Sequence, residues 1–408
     1  MEIVIQKFGG TSVASSASRA LVLKKVSQAV KAGSRPVVVV SAMGRRGDPY
    51  ATDTLIDLVK SIHENIAARE LDQLMCCGEM IAAVILTATL QQAGLEAVML
   101  TGGQAGIITD NNYNNARCIK CDTGALNKLL AAGKLPVVCG FQGVTPEGEL
   151  TTLGRGGSDT TAAILGAALE AKQIEIFTDV DGIMTADPKI VKNAKRLNCI
   201  GYAEVCQLAE QGAKVIHPRA VEIAKQKNIP ILIKSTFTDE PGTVIAAGDT
   251  AAKLFAAGAV WDKVASGVTY LSDVVQFKIN LNTATPDGGA QQIFQILAAS
   301  GISVDLINIL PQKVMFTVNK ENARQAVTKL ETAGYNLETA ADCAKVSVVG
   351  GGMRGTPGVM ANFIAALAAH NISILQTVDS HTSISALISQ RDVKTAVMAL
   401  HENFGLAD

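Results

Sequence analysis

IVIQKFGGTS, residues 3–12, begins with three apolar residues that favour strands and ends in two glycines followed by two hydroxyls. The run Ile3–Phe8 predicts a short strand, and a helix is predicted near 16–32, so Gly9-Gly10-Thr11-Ser12 forms the turn between them. A buried strand feeding a helix through a tight turn is the building unit of a parallel sheet. The same rhythm continues through Pro36–Ser41, helices near 52–67 and 70–92, Ala97–Thr101, a helix near 120–132, and Leu135–Phe141. It ends with a helix near 159–171, Ile174–Thr178, a helix near 216–228, and Ile231–Ser235. Strands of nearly continuous Val and Ile separated by helices predict an α/β fold, with a mainly parallel sheet covered on both faces as a three-layer αβα domain.

That rhythm stops at 246–262, AAGDTAAKLFAAGAVWD, which is rich in Ala and Gly and is read as a linker. Beyond it the chain repeats itself: Leu297–Ser303 (LAASGIS) matches Leu367–Ser373 (LAAHNIS), 70 residues later. Val314–Val318 falls on Ile384–Ile388 at the same offset, and Phe277–Leu281 on Ser347–Gly351. Each copy reads strand, Gly/Pro turn, helix, strand, strand, with turns at Pro286–Gly289 and Gly355–Gly358. This is a split β-α-β arrangement present twice. The expected organisation is a domain over 1–245, the linker at 246–262, and small domains at 263–335 and 336–408.

The 408 residues exceed what one ordinary core organises, and 48% apolar residues can fill several. Lys and Arg number 36 against 37 Asp and Glu, with no block of like charge, so nucleic acid has no electrostatic footprint here. No run approaches the roughly 20 apolar residues of a membrane span, and no charged-then-apolar leader opens the chain. The expectation is a cytoplasmic protein without a membrane partner. The eight scattered cysteines include one C-x-x-C, Cys118 and Cys121, and are read as ordinary thiols.

Four glycine-bearing stretches carry chemistry. At the first turn, Gly9 and Gly10 bring backbone N–H groups close to a ligand, Thr11 and Ser12 add hydroxyls, and Lys7 adds a full charge, which together suit an anion. The pattern is neither a Walker loop nor G-x-G-x-x-G, so a dehydrogenase reading loses its main support. GRGGSDTT at 154–161 also precedes an apolar helix that Ser158 or Asp159 can cap, and Arg155 can hold a carboxylate or phosphate bidentately. TDVDGIMTADP at 178–188 places carboxylates at the expected carboxyl edge of the sheet without calcium-loop spacing, and SAMG at 41–44 opens onto the same edge. Glu79 stands alone in an apolar helix, either wet at an end or buried beside a cation.

Two anion-binding turns, Lys7, Lys234, an arginine and several carboxylates suit phosphoryl transfer from a nucleotide. The five histidines sit in no metal-ligand spacing and no G-x-S-x-G is present, so zinc and hydrolase readings are poor. A carboxylate acceptor needs no general base, since it is ionised at neutral pH; the difficulty is bringing two anions together.

KFGGTSV (7–13), VVSAMG (39–44), CGE (77–79), GFQG (140–143), GRGGSDTTA (154–162), TDVDGIMTADP (178–188), GAKVIHPR (212–219) and PGT (241–243) together resemble the aspartate kinases of the amino-acid kinase family, over nearly the whole chain. The duplicated tail resembles their paired ferredoxin-like ACT domains. The resemblance implies phosphorylation of the β-carboxylate of L-aspartate by ATP with Mg²⁺, giving 4-phospho-L-aspartate for lysine, threonine, methionine and diaminopimelate synthesis. It implies catalytic roles for Lys7 and Asp181, and phosphate contacts at Gly9, Gly10, Thr11 and Ser12. Ser41, Thr52, Glu79, Arg155 and Ser158 would line the aspartate site, with Glu79 on the α-ammonium and Arg155 on the α-carboxylate. Lys7, Thr178, Asp179, Asp181, Met184, Lys189 and Lys234 would border ATP, although Met184 and Lys189 stand where many members carry tyrosine and arginine. The loop Arg45–Tyr50 resembles the diaminopimelate-sensitive bacterial type. In the tail, Ser303, Asp305 and Asn308 would hold a feedback effector (lysine, threonine or meso-diaminopimelate), and paired ACT domains imply at least a homodimer. The competing readings are a kinase of acetylglutamate or glutamate, and an amino-acid sensor without catalysis.

Overall fold

The computed structural model describes residues 2–213, 215–247, 264–281 and 289–407. Most of the expected linker 246–262 and part of the turn Pro286–Gly289 lie outside the described residues. The rest groups into two compact units: one holds the chain through Ile183, Arg196–Ala209 and 215–247, the other Met184–Lys195, Glu210–Ala213 and 264 onward.

The first unit runs β1 (Ile3–Phe8), α1 (Gly10–Val13), α2 (Ser16–Lys31), β2 (Arg35–Val40), α3 (Thr52–Lys60), α4 (Ala68–Gln92), β3 (Ala97–Leu100), β4 (Ile107–Thr109), β5 (Cys118–Cys121), α5 (Gly124–Ala131), β6 (Leu135–Cys139), β7 (Gln142–Val144) and β8 (Leu150–Thr152). It continues with α6 (Gly157–Ala168), β9 (Gln173–Thr178), β10 (Cys199–Ile200), α7 (Tyr202–Glu210), α8 (Pro218–Gln226), β11 (Ile231–Ser235) and β12 (Thr243–Ile245). Eight strands form one sheet in the order β10-β12-β11-β9-β1-β2-β6-β3, parallel except where β11 meets β12. In the centre, β1 lies between β2 and β9, with Lys7 level with Val39 and Ile176. Burial on both faces explains the unbroken Val and Ile: Ile5, Val37–Val40, Val137 and Ile174 are inaccessible to solvent.

Three expectations need correction. The helix predicted over 52–67 stops at Lys60, because the next segment offers the sheet nothing to bury and Ile62 stands 82% exposed. The segment 107–152 also carries a separate four-stranded sheet, β5-β4-β7-β8, whose three- and four-residue strands are too short to show a period. Finally, α4 is long and apolar enough to cross a membrane by length and composition, although no apolar run stands out in the sequence. Here it packs on β3 and β6, burying Ala82, Ala83, Leu86 and Leu90.

In the second unit, β13 (Gly267–Asn280), α9 (Ala290–Ala299), β14 (Asp305–Leu310), β15 (Lys313–Asn319), α10 (Lys320–Thr332), β16 (Leu337–Val349), α11 (Val359–Ala368), β17 (Gln376–Asp379), β18 (Ser383–Ser389) and α12 (Val393–Asn403) build one sheet, β14-β15-β13-β16-β18-β17. The repeated strands β15 and β18 keep the 70-residue offset. The helices α10 and α12 were not read in the repeat itself; α10 and β16 complete the first copy as βαββαβ, whereas the second ends on α12 and takes its remaining strand from Gly267–Leu271 of β13. Each long strand serves both copies: Val274–Asn280 of β13 pairs with β15, while Gly267–Leu271 pairs with the half of β16 that continues onto β18. At the change-over Asp273 and Asp342 take positive φ, 59° and 55°, and Lys320 Nζ lies 3.6 and 3.5 Å from their carboxylates. One core gathers around Phe277, Ile293 and Phe316, the other around Val346, Phe363 and Leu400.

Candidate active site

The strands β1 and β2 end side by side, and the turns that follow them make the floor of a cavity of about 530 Å³. Gly10 fits there because it has no side chain: a Cβ would come within 2.6 Å of the Ala42 carbonyl and 2.7 Å of that of Gly44. The two turns are laced by backbone bonds, Gly44 N–H to Gly10 O at 3.1 Å and Ser41 N–H to Phe8 O at 3.1 Å.

Lys7 projects from the end of β1 and pairs with Asp159 at 2.7 Å, both nearly buried. Asp159 thus gives this nearly buried ammonium an opposite charge within the fold. In sequence Asp159 was legible only as a helix cap; in fact Gly156, in the left-handed region at φ 68°, occupies the N-cap of α6, and neither Ser158 nor Asp159 caps it. A Cβ on Gly156 would sit 2.3 Å from that of His217, so only glycine turns the chain here. No side chain caps α6; its first N–H, that of Gly157, is taken by Gly154 O at 2.9 Å, and Gly156–Asp159 line the cavity.

Opposite this end, α4 presents Glu79, 2% exposed. One oxygen accepts from the Ala42 N–H at 3.0 Å and the other has no hydrogen-bond partner among the described residues. Burial without a cation pushes its carboxyl up to about 8. Of the two alternatives left open by the sequence, the helix buries this residue, and no cation pairs with it among the described residues. Arg155, exposed, lines the same cavity, as do half-buried Ser41 and Thr52 and buried Ser158.

The remaining expected contacts fall into separate groups. Ser12 is buried, its hydroxyl 2.7 Å from that of Thr236, so it is engaged inside the fold. Gly9 donates its N–H to Phe177 O at 3.1 Å, and Thr11 is half-buried in α1. Thr178, Asp179 and Asp181 follow β9: Asp179 pairs with Arg45, and Asp181 accepts from Thr238 Oγ1 at 2.6 Å. Lys234, on neighbouring β11, contacts the buried Glu175 at 3.2 Å and lies over the Phe177 ring. Met184 and Lys189 belong to the segment Met184–Lys195 of the second unit, where Met184 is half-buried and Lys189 exposed.

Within the second unit a cavity of about 540 Å³ is lined by Ser303, Asp305, Thr317 and Lys345. Lys345 is buried and paired with Asp305, a partner that the sequence did not single out. Asn308 lies elsewhere, accepting from Gln376 Nε2 at 2.6 Å where β14 meets β17.

Known proteins match this arrangement throughout. Residues 2–235 match the amino acid kinase family, and residues 338–402 match the ACT domain. Aspartokinase 1 of Bacillus subtilis is 45% identical over 407 residues covering all of both chains, and the aspartokinase of Mycobacterium tuberculosis strain H37Rv is 38% identical over 421 residues, 100% of this chain and 97% of that one. Escherichia coli aspartokinase III in complex with aspartate and ADP superposes with a TM-score of 0.77 at 25% identity, covering 98% of this chain and 99% of that one. The same enzyme in complex with lysine and aspartate gives 0.75 at 26%, covering 99% and 100%. The chain belongs to the amino acid kinase family, and within it to the aspartokinases.

Proposed function

We propose that this aspartate kinase carries out its reaction in the cavity between Lys7, Glu79 and Arg155. L-Aspartate enters with its α-ammonium on the free oxygen of Glu79 and its α-carboxylate on Arg155, beside Ser41, Thr52 and Ser158. Its β-carboxylate then faces Lys7 and the first turn of α6. An oxygen of that carboxylate attacks the γ-phosphorus of ATP, the bond from that phosphorus to the bridging oxygen breaks, and ADP leaves with the electron pair. No proton need move, since the attacking group is already ionised.

The site must therefore lower the repulsion between two anions. Lys7 and the backbone at Gly9–Gly10 serve this end, as fixed positive charge and dipoles aimed at the transferring group. Thr178, Asp179, Asp181 and Lys234 are assigned to the nucleotide side. Mg²⁺ enters as part of the MgATP substrate; it is a hard, strongly hydrated ion usually held by phosphates and one or two carboxylates, a role that suits Asp179 or Asp181.

The observation that supports this reading best is the unpartnered oxygen of buried Glu79 in the same cavity as the Lys7–Asp159 pair. An acidic group kept out of water without a cation suits a substrate that brings an ammonium. An amino-acid effector is assigned to the second cavity with Ser303 and Asp305, and the C-terminal unit to association of at least two chains, in the cytoplasm. Aspartate-dependent ADP release, with the acyl phosphate trapped by hydroxylamine as the hydroxamate, tests the assignment. Turnover with glutamate or acetylglutamate but not aspartate would replace it. An inhibition panel of lysine, threonine and meso-diaminopimelate identifies the effector.

A further inference from the structure

Seven residues before Glu79, and on the same buried face of α4, stands a second carboxylate with no place in the chemistry above. Asp72 is completely inaccessible to solvent. Its Oδ1 accepts from Thr152 Oγ1 at 2.6 Å and from the Asn114 N–H at 3.1 Å, and its Oδ2 from the Thr152 N–H at 2.8 Å and the Asn114 N–H at 3.0 Å. Three groups hold it, the backbone N–H groups of Asn114 and Thr152 and the Thr152 hydroxyl, and both carboxylate oxygens are engaged. Burial pushes its carboxyl up while these donors pull it back.

What Asp72 ties together matters more than the bonds themselves. Thr152 is the last residue of β8, three before Arg155, and its carbonyl also accepts from the Ala116 N–H at 2.9 Å. Asn114 lines the aspartate cavity. On the far side of the same strand end, Arg219 donates to Leu153 O at 2.9 Å and Ala116 O at 3.0 Å. The strand end leading to Arg155 is thus gripped from two sides, and the grip from the helix bearing Glu79 is Asp72. With about 1.5 Å rise per residue, seven residues separate the two carboxylates by about 10 Å along one face.

We propose that Asp72 is a positioning residue for the amino-acid substrate: it pins the strand end that carries Arg155 and the turn that carries Asn114 to the helix that carries Glu79. The groups assigned to the two ends of the α-amino acid are thereby held at one separation. This rests on the assignment of Glu79 and Arg155 to the aspartate backbone.

Steady-state kinetics of the full-length protein with L-aspartate and MgATP test it, using Asp72→Asn, Thr152→Val and Thr152→Ser. Asp72→Asn keeps the volume but turns an amide NH₂ against at least one N–H donor, and is expected to raise the aspartate KM by about tenfold or more while kcat and the ATP KM stay within about threefold. Thr152→Val, which removes one of the bonds, should shift the aspartate KM the same way by about threefold to fivefold, and Thr152→Ser should keep the original value. A merely structural role would lower thermal stability while leaving the ratio of the two KM values unchanged, and that result overturns the proposal. If Asp72→Asn does not fold, Thr152→Val decides, and an unaltered aspartate KM rejects the idea. Absence of hydroxamate with the unmodified protein would instead remove the aspartate reading itself, independently of any variant.

Discussion

The two sides of the proposed catalytic centre differ in how their charges are housed. On the aspartate side Lys7 and Asp159 are 11% and 13% exposed, and Glu79 is buried. On the nucleotide side Arg45 and Asp179 are 70% and 41% exposed, and Asp181 is likewise open to solvent. The fold causes this difference: the aspartate cavity is walled by α4 and α6 over the centre of the sheet, whereas Asp179 and Asp181 follow β9 in an open turn. Charges held in low dielectric act strongly and are costly to orphan, whereas charges in water are screened and replaceable. Substitutions should therefore hurt in proportion to burial.

The largest effect is expected at Lys7. Lys7→Ala removes the fixed charge nearest the transferring group and leaves Asp159 almost buried without a partner. Hydroxamate formation should fall by about a thousandfold or more in kcat, as on losing a strong transition-state donor. Adding Asp159→Asn should restore thermal stability without restoring turnover, since it removes the orphaned anion but supplies no cation. Recovery of activity in the double variant would mean that Lys7 acts only as the partner of Asp159.

Next in size is Arg155→Ala. A bidentate carboxylate partner is lost, so the aspartate KM should rise by about tenfold to a hundredfold, with the ATP KM nearly unchanged. Equal increases in both would break the division between the two sides.

Glu79 gives a test by pH. Its carboxyl titrates near 8 in the folded chain against an ordinary value of 4.5, so the empty site holds a proton at neutral pH. Binding an ammonium requires the carboxylate, and the aspartate KM should fall as pH rises from about 6.5 to 8.5. Glu79→Gln should give a high KM that is flat over that range. Stability moves the other way: between the unfolded and folded pKa values the native state binds more protons, so Glu79 makes the empty protein less stable as pH rises from about 4.5 to 8, by at most about 1.4 kcal/mol per pH unit. Denaturant midpoints for the parent and Glu79→Gln over that window should converge at low pH.

How far these contrasts were legible in sequence follows from the same physics. The parallel sheet was readable because Val37–Val40 and Ile174–Phe177 are buried on both faces, which leaves an unbroken apolar signature. The duplicated tail was readable as a repeat, but not its shared strands: the repeat shows that two alike modules exist, while the crossover depends on Asp273 and Asp342 adopting positive φ. Lys7, Glu79 and Arg155 were identifiable as residue types out of place in their surroundings, helped by a resemblance carried on many short motifs. Asp159 was hidden because an acidic residue in the first turn of a helix is ordinary, and Asp72 because nothing near it in sequence marks a partner; only the folded chain brings Lys7 to the first and Thr152 to the second. Lys189 was set beside the nucleotide by the resemblance alone, and its segment groups with the second unit.

The smallest effect is expected from the exposed pair Arg45–Asp179. An ion pair in water contributes about 0–1 kcal/mol and weakens with salt, so Arg45→Ala should leave both the fold and the aspartate KM unchanged. If Asp179 serves only as the partner of Arg45, Asp179→Asn should alter the ATP KM by less than about threefold at moderate ionic strength. If Asp179 meets the Mg²⁺ that accompanies ATP, however, its exposure in the empty protein is misleading, because phosphates and metal would desolvate it on binding. A loss above tenfold in Asp179→Asn, with the apparent affinity for Mg²⁺ falling in parallel, would show that burial in the empty site underrates this side. A small, salt-sensitive loss would leave the contrast between the buried aspartate pocket and the open nucleotide edge as drawn. Titrating Mg²⁺ at fixed ATP separates the two outcomes.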